Sequence, residues 1–379
     1  MLCVVTMHTT IPTSQGQGLH GKRVLFGAEP CHRAKRAESL TTRSRKSPQP
    51  SPTMPAPNSR GILVAARHGE REDYIQRDAG GNWIPTADRP WDPPLSAAGH
   101  QQVRELGRRV ARTLAKHGLP PVGVVYASPL LRCCQTAAGA ILGLEDEAAK
   151  NDSSGSDAST PLQINIEHGI VESLCEKWYR SWALPGADGT WGYCPDKPAV
   201  EGGNVWDVNT DALHPKAKVA AHELFLPPTE MEARVRETCG EAIQSRSTAI
   251  VNASYTRSAV PLTDDFCWGT FESRKMQLAR ARALADALAA RHPNETVLLL
   301  SHGSPVTHLF ESVSGKDWTV HGVCGYASFS VYQHESNSDE DSGENGEEAT
   351  PSVCWKEPVV VNNSTHKLDE NSAEYKSGH

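Results

Sequence analysis

The chain has 379 residues, 38% of them hydrophobic, and carries a formal net charge of −7. This charge gives no reason to expect nucleic-acid binding over the whole surface, and no run approaches the roughly 18 apolar residues that span a bilayer. The ten cysteines are scattered, with no CxxC pair, which is typical of free thiols in a reducing compartment. We therefore expect a cytoplasmic protein without nucleic-acid or membrane partners.

Residues 1–58 differ in composition from the rest of the chain. They contain eight Lys or Arg residues against two acids, and the stretch 44–57 holds nine Pro, Ser or Thr residues. Such a segment fits an organelle transit peptide, a disordered extension, or an upstream start with true initiation at Met54. Because no amphipathic basic helix is evident, we predict a disordered extension followed by a single domain over residues 59–370.

From Gly61 onward, short apolar runs alternate with amphipathic stretches. Strands are predicted over 61–66, 122–126, 162–166, 296–300 and 326–333. Helices are predicted from a Ser96 cap to about 116, from about Pro129, over 229–245 and over 272–291. This alternation predicts an α/β fold, a three-layer α/β/α sandwich with a mostly parallel central sheet.

Several segments lack either period and are predicted to be loops. Residues 78–94 read as a polar loop, and 178–206 as an ordered loop with six tryptophans and tyrosines. A Ser/Asp/Gly-rich insertion is predicted near 146–160. A second insertion near 335–350 contains an acidic tract that we expect to be solvated and disordered.

Reactive side chains follow the ends of four predicted strands. They are Arg67, His68, Arg71, Arg132, Glu176 and His302. Because parallel strands end at one edge of a sheet, we expect these side chains to face a common crevice. Arg132 would also lie in the first turn of a helix, where the helix dipole favours anions.

Competing chemistries lack their parts in this sequence. No Gly-x-Ser-x-Gly elbow and no Walker-type glycine-lysine loop occur. Two histidines and a glutamate form a zinc-ligand set, but three nearby arginines would repel the ion. Phosphoryl transfer to histidine uses all of these residues, because arginines hold phosphate oxygens and a neutral imidazole is the nucleophile. The residues therefore predict this reaction.

The order of these motifs resembles the histidine phosphatase superfamily, which includes the cofactor-dependent phosphoglycerate mutases. The resemblance covers about 61–367 and rests on Arg67-His68-Gly69-Glu70-Arg71, Leu95-Ser96-x-x-Gly99, Ser128-Pro129-Leu130-Leu131-Arg132-x-x-Gln135-Thr136-Ala137, Leu174-x-Glu176 and Ser301-His302-Gly303. It implies a phosphoglycerate mutase-like fold. Arg71 and Asp73, followed by Trp83, are similar to the branch of ubiquitin-associated, SH3-bearing (TULA-type) and ecdysteroid-phosphate phosphatases.

The resemblance also implies roles for the site residues. His68 would attack phosphorus and form a phosphohistidine, while phosphate would be bound by Arg67, Arg71, Arg132 and His302. His302 would also be a catalytic residue. Glu176 would be the catalytic acid and base, with Glu172 as the alternative four residues earlier.

The implied activity is that of a phosphoric monoester hydrolase, with neither metal nor cofactor. Its partner would be a phosphorylated small molecule or a phosphoprotein. A mutase-type isomerase and a non-catalytic phospho-ligand binding module are the alternatives. The mutase is disfavoured because that subgroup usually has a serine and an asparagine after the Arg-His-Gly. The sequence leaves the physiological substrate and the oligomeric state open.

Overall fold

The computed structural model describes residues 60–81, 83, 86–89, 91–151, 161–172, 225–260, 273–337 and 352–364. The predicted extension over 1–58 and the predicted ordered loop over 178–206 lie outside these residues, as does Glu176. Among the described helices, none has the length and apolarity needed to cross a bilayer.

A seven-stranded sheet forms the centre of the described domain, in the order β3-β2-β4-β1-β5-β6, with β7 also paired to β5. Four strands are mutually parallel, while the last three form antiparallel pairs. The strands are β1 (Arg60–Arg67), β2 (Val122–Ala127), β3 (Ile164–Ile166), β4 (Thr296–Ser301), β5 (Phe329–Asn337), β6 (Ser352–Trp355) and β7 (Val360–Asn363). All five predicted strands are present, and β6 and β7 were not predicted.

Seven α-helices are described. They are α1 (Glu72–Asp78), α2 (Ala97–Lys116), α3 (Leu131–Asn151), α4 (Pro228–Thr238), α5 (Glu241–Gln244), α6 (Arg274–Arg291) and α7 (Gly303–Ser314). The Ser96 side chain accepts from the Gly99 amide, so the predicted cap of α2 is confirmed. The prediction of one helix over 229–245 is wrong, because Gly240 has φ of +80° and separates α4 from α5.

Two hydrophobic clusters cover opposite faces of the sheet. Along β1, Ile62 and Val64 belong to one cluster and Leu63 and Ala65 to the other, because successive strand side chains alternate between faces. Helices α2, α3 and α4 pack into the first cluster, and α6 and α7 into the second. The predicted three-layer α/β sandwich is therefore confirmed, with a sheet that is parallel over four of its strands.

Both predicted polar insertions begin inside regular structure. Helix α3 continues to Asn151, so the first residues of the insertion near 146–160 are helical. Strand β5 continues to Asn337 and pairs with β6, so the prediction of disorder is wrong for residues 335–337. Glu335 lies 3.3 Å from Arg60 and 2.7 Å from Lys356, and these ion pairs hold its side chain at the end of the sheet opposite to Arg67.

Candidate active site

The strand pairing brings the predicted site residues to one edge of the sheet. Arg67 at the end of β1 pairs in register with Ser301 at the end of β4. The amide of His68 donates to the Ser301 carbonyl at 2.8 Å, and the amide of Ser128 donates to the Leu300 carbonyl at 3.0 Å. Three chain segments that carry site residues therefore leave the sheet side by side.

The His68 ring is buried and has a defined hydrogen bond. Its side chain is 2% exposed, and Nδ1 lies 2.7 Å from the Gly69 carbonyl. Since a carbonyl only accepts, the proton of a neutral ring is on Nδ1, and Nε2 keeps its lone pair. Burial lowers the pKa of His68 well below its usual value, and the charges of Arg132 and Arg67 lower it further.

Close backbone packing fixes the loop after His68. A Cβ at Gly69 would lie 2.7 Å from Val103 Cγ1, and one at Gly99 would lie 2.3 Å from the Glu70 carbonyl oxygen. Neither separation is possible for a real side chain, so both positions require glycine. The loop is therefore pressed against the start of α2, which limits its freedom to move.

Arg67 is held by the turn that precedes β5. Its NH1 donates to the Cys324 carbonyl at 2.8 Å, and its guanidinium lies 4.1 Å from the centre of the Tyr326 ring. The same ring centre is 5.6 Å from that of His68. The tyrosine therefore packs beside the histidine and one of its neighbouring arginines, a role that the sequence did not signal.

Arg71 forms a buried, two-pronged ion pair with Asp73. Its Nε and NH2 donate to the two carboxylate oxygens at 2.9 and 2.5 Å. Both residues are buried, with Asp73 2% exposed. Such fork geometry fixes the plane of the guanidinium, so Asp73 orients Arg71 rather than facing solvent. The sequence marked Asp73 only as a branch feature.

Arg132 lies in the first turn of α3 and is 1% exposed. Its NH1 is 3.7 Å from Asp92 Oδ1, beyond hydrogen-bond range. Among the described residues, Nε and NH1 have no hydrogen-bond partner. Asp92 Oδ1 instead accepts from the Leu131 amide at 2.8 Å. Buried cationic donors without acceptors at a helix N-terminus suit an anionic ligand.

His302 is fully buried and immediately precedes α7. Its Nε2 lies 2.7 Å from Ser128 Oγ, and its ring centre is 5.3 Å from that of His68 in an edge-on arrangement. Burial lowers the pKa of His302 well below its usual value, and the charge of Arg132 adds to this effect. Two neutral histidines therefore lie among the arginines.

Glu172 is the described carboxylate that faces His302. Its Oε2 lies 3.8 Å from Nδ1 of that ring, and its side chain is 12% exposed. A one-turn 3-10 helix, His168–Ile170, directs the chain back to the sheet edge just before this residue. Ser301 Oγ donates to the Ile170 carbonyl at 2.6 Å and ties that turn to β4. Glu176 lies outside the described residues, so its predicted role is not tested by this geometry.

The assembled side chains form a cationic pocket at the sheet edge. Within the described ranges, no cluster of three or more His, Cys, Asp or Glu side chains is arranged to hold a metal ion. Three guanidinium groups that lie close enough to His68 and His302 to lower the pKa values of both rings, with helix N-termini at α3 and α7, can bind the oxygens of a phosphoryl group. Of the six predicted site residues, the structure brings five together, and the sixth, Glu176, lies outside the described residues.

Comparisons with known proteins agree with this geometry. The family model described as histidine phosphatase superfamily (branch 1) matches residues 63–152 and 216–340, more than half of the chain. Ubiquitin-associated and SH3 domain-containing protein B of Homo sapiens is 29% identical over 158 residues, 35% of this chain and 21% of that protein. Ubiquitin-associated and SH3 domain-containing protein A of Mus musculus is 32% identical over 150 residues, 33% of this chain and 20% of that protein.

The chain thus matches only about a fifth of the length of these two relatives, which agree with the predicted TULA-type branch. A solved mycobacterial glucosyl-3-phosphoglycerate phosphatase aligns with 80% of this chain and 100% of its own, at 16% identity and a TM-score of 0.38. That likeness is too low to support a statement about substrate, so the family assignment rests on the family model. The chain belongs to the histidine phosphatase superfamily.

Proposed function

We propose that the protein is a phosphatase that hydrolyses a phosphomonoester through a phosphohistidine on Nε2 of His68. The hydrogen bond from Nδ1 to the Gly69 carbonyl carries this proposal, because it leaves the lone pair of Nε2 free to attack phosphorus. The ring is also neutral at neutral pH, since burial and the arginine charges lower its pKa. A protonated imidazole has no lone pair with which to attack.

The surrounding arginines supply the electrostatic part of the proposal. Arg67, Arg71 and Arg132 bind the phosphoryl oxygens and place phosphorus in line with Nε2, and neutral His302 adds a hydrogen bond. In a buried pocket, such charges act more strongly than in water and need no reorganisation during the reaction. Because the arginines offset the phosphate charge, the proposed reaction needs no metal or other cofactor.

Glu172 is proposed as the group that protonates the leaving oxygen and then deprotonates the attacking water. Its carboxylate borders His302 at 3.8 Å, at the margin of the phosphate pocket. We place the role on Glu172 because this carboxylate borders the pocket, although the motif resemblance favours Glu176. Hydrolysis, rather than transfer to a second hydroxyl, is proposed because Arg71 and its partner Asp73 stand where mutases usually have a serine and an asparagine.

Turnover of p-nitrophenyl phosphate and of an alkyl phosphate by three variants tests these assignments. H68A should lose turnover but still bind inorganic phosphate. A non-catalytic binding module would instead bind phosphate and show no turnover even in the wild type. E172Q should lower the rate of hydrolysis of an alkyl phosphate about 10²- to 10⁴-fold, because alkyl leaving groups need the proton. E176Q should stay near wild type, and the opposite pattern would move the acid to Glu176. Wild-type turnover in H68A would refute the proposal.

The substrate is a phosphorylated small molecule or phosphoprotein, as the sequence predicts. A panel of sugar, nucleotide, steroid and tyrosine phosphates, with a bisphosphoglycerate mutase assay, separates these classes. The cytoplasmic location also stays a prediction.

A further inference from the structure

One short turn holds both His68 and Arg67 in place from outside the phosphate pocket. The Ala327 amide donates to the His68 carbonyl at 3.1 Å, and the Arg67 amide donates to the Ser328 carbonyl at 3.0 Å. Earlier in the turn, the Cys324 carbonyl accepts from Arg67 NH1 at 2.8 Å. The conformation of this turn, residues 324–328, therefore sets the positions of His68 and Arg67.

This turn includes a backbone conformation that its sequence does not favour. Ala327 has φ of +49°, in the left-handed region that side chains with a Cβ rarely adopt. The residue is 1% exposed and lies between Tyr326 and strand β5. Other contacts must hold the alanine in this conformation, because its local preference is for negative φ.

Arg109 of helix α2 supplies such a contact. Its NH2 donates to the Ala327 carbonyl at 2.5 Å, and its NH1 donates to the carbonyl and the side-chain oxygen of Asn363 at 2.9 and 3.1 Å. The guanidinium also lies 5.5 Å from the centre of the Phe329 ring. Arg109 thus joins three elements: α2, the turn before β5, and strand β7.

The neighbouring arginines on α2 behave differently. Arg108 and Arg112 form ion pairs with carboxylates on the surface of α2 and α3. Arg109 instead donates from two guanidinium nitrogens to backbone carbonyls and to a side-chain amide oxygen. A lysine, with a single nitrogen, could not bridge these acceptors in the same way. The difference indicates that Arg109 serves the turn rather than the surface charge network.

We propose that Arg109 is a positioning residue for the active site, which locks Ala327 in the left-handed conformation and thereby holds His68 and Arg67. The proposal rests on the proposed phosphatase function for its catalytic consequence. Without the lock, the turn relaxes toward negative φ, the Ala327 amide leaves the His68 carbonyl, and the nucleophile loses its alignment. A displacement of about 1 Å is enough to lower turnover by about 10²-fold.

Hydrogen exchange at the Ala327 amide is the readout that does not depend on activity. In R109M this amide should exchange about five- to tenfold faster than in the wild type, since its hydrogen bond to His68 is weakened. R109K should show the same effect if R109M does not fold. The matched control is R112M, which removes an exposed arginine three residues along the same helix and should leave the exchange unchanged.

A second-site change separates positioning from a general loss of structure. A327G removes the Cβ that disfavours positive φ. The double variant R109M/A327G should therefore recover slow exchange, and its kcat should be at least about tenfold higher than that of R109M. The KM for p-nitrophenyl phosphate should change less than kcat.

Unchanged exchange in R109M, or no recovery in the double variant, overturns the proposal. If the wild type has no turnover, the proposed function fails, and exchange still decides the role of Arg109.

Discussion

Replacing Arg132 with methionine should remove phosphate binding without weakening the fold. This guanidinium is 1% exposed and lies 3.7 Å from Asp92 Oδ1. Its Nε and NH1 have no hydrogen-bond partner among the described residues. This buried guanidinium is held at a cost in desolvation that the Asp92 carboxylate offsets only in part and that a bound anion would offset further.

The size of both effects follows from these contacts. Two charged hydrogen bonds contribute about 1.5–3 kcal/mol each, so R132M should weaken phosphate binding by about 10²- to 10⁴-fold. The free energy of unfolding should stay the same or rise by about 1–3 kcal/mol. Asp92 is not left isolated in the variant, because Arg89 lies 3.6 Å away and the Leu131 amide donates at 2.8 Å.

Urea unfolding with and without inorganic phosphate measures both quantities in one experiment. The wild type should be stabilised by phosphate, whereas R132M should not respond to it. R112M is the control, since this exposed arginine pairs with Glu105 at the surface and should change stability by less than about 1 kcal/mol. The predicted role of Arg132 is wrong if R132M has a free energy of unfolding more than about 1 kcal/mol below that of the wild type while its phosphate affinity is unchanged.

Two further predictions concern stability. The folded protein keeps the pKa values of His68 and His302 low, so below about pH 6.5 the unfolded chain binds more protons than the folded protein. Each histidine should therefore lower the free energy of unfolding by up to about 1.4 kcal/mol for each unit by which the pH falls. Urea titrations at pH 7.5 and 5.5 measure this slope, which H68N should reduce and which a flat profile would contradict. D73A should cost about 3–5 kcal/mol by removing the buried carboxylate that pairs with Arg71, whereas D78A, at an exposed ion pair, should cost less than about 1 kcal/mol. Equal losses in the two variants would show that burial of the pair is unimportant.

The part of the site that the sequence predicts is the part set by strand ends. An apolar run that stops at a polar residue locates Arg67, His68 and His302, and a parallel sheet then places them together. The same reasoning places Arg132 at a helix start. These positions follow from local periodicity and from one general rule about sheet edges, so no knowledge of tertiary contacts is needed.

The remaining features depend on geometry that local patterns do not encode. Helix α1 spans only Glu72–Asp78, too short for a 3.6-residue period to stand out from its loop. Arg67 donates to a carbonyl 257 residues away, and no local signal marks Cys324 as its partner. The position of Glu172 beside His302 depends on the one-turn 3-10 helix that precedes it, which the hydrogen bond from Ser301 Oγ to the Ile170 carbonyl ties to β4 and which no local pattern reveals.

The most direct test of the proposed mechanism is to trap the phosphorylated enzyme. Rapid mixing with p-nitrophenyl phosphate, an alkaline quench and tandem mass spectrometry would locate the phosphoryl group within the chain. We predict an acid-labile, alkali-stable phosphoryl group on His68, formed in a burst with p-nitrophenol and absent from H68N. A phosphoryl group on any other residue, or steady turnover by H68N, would contradict it.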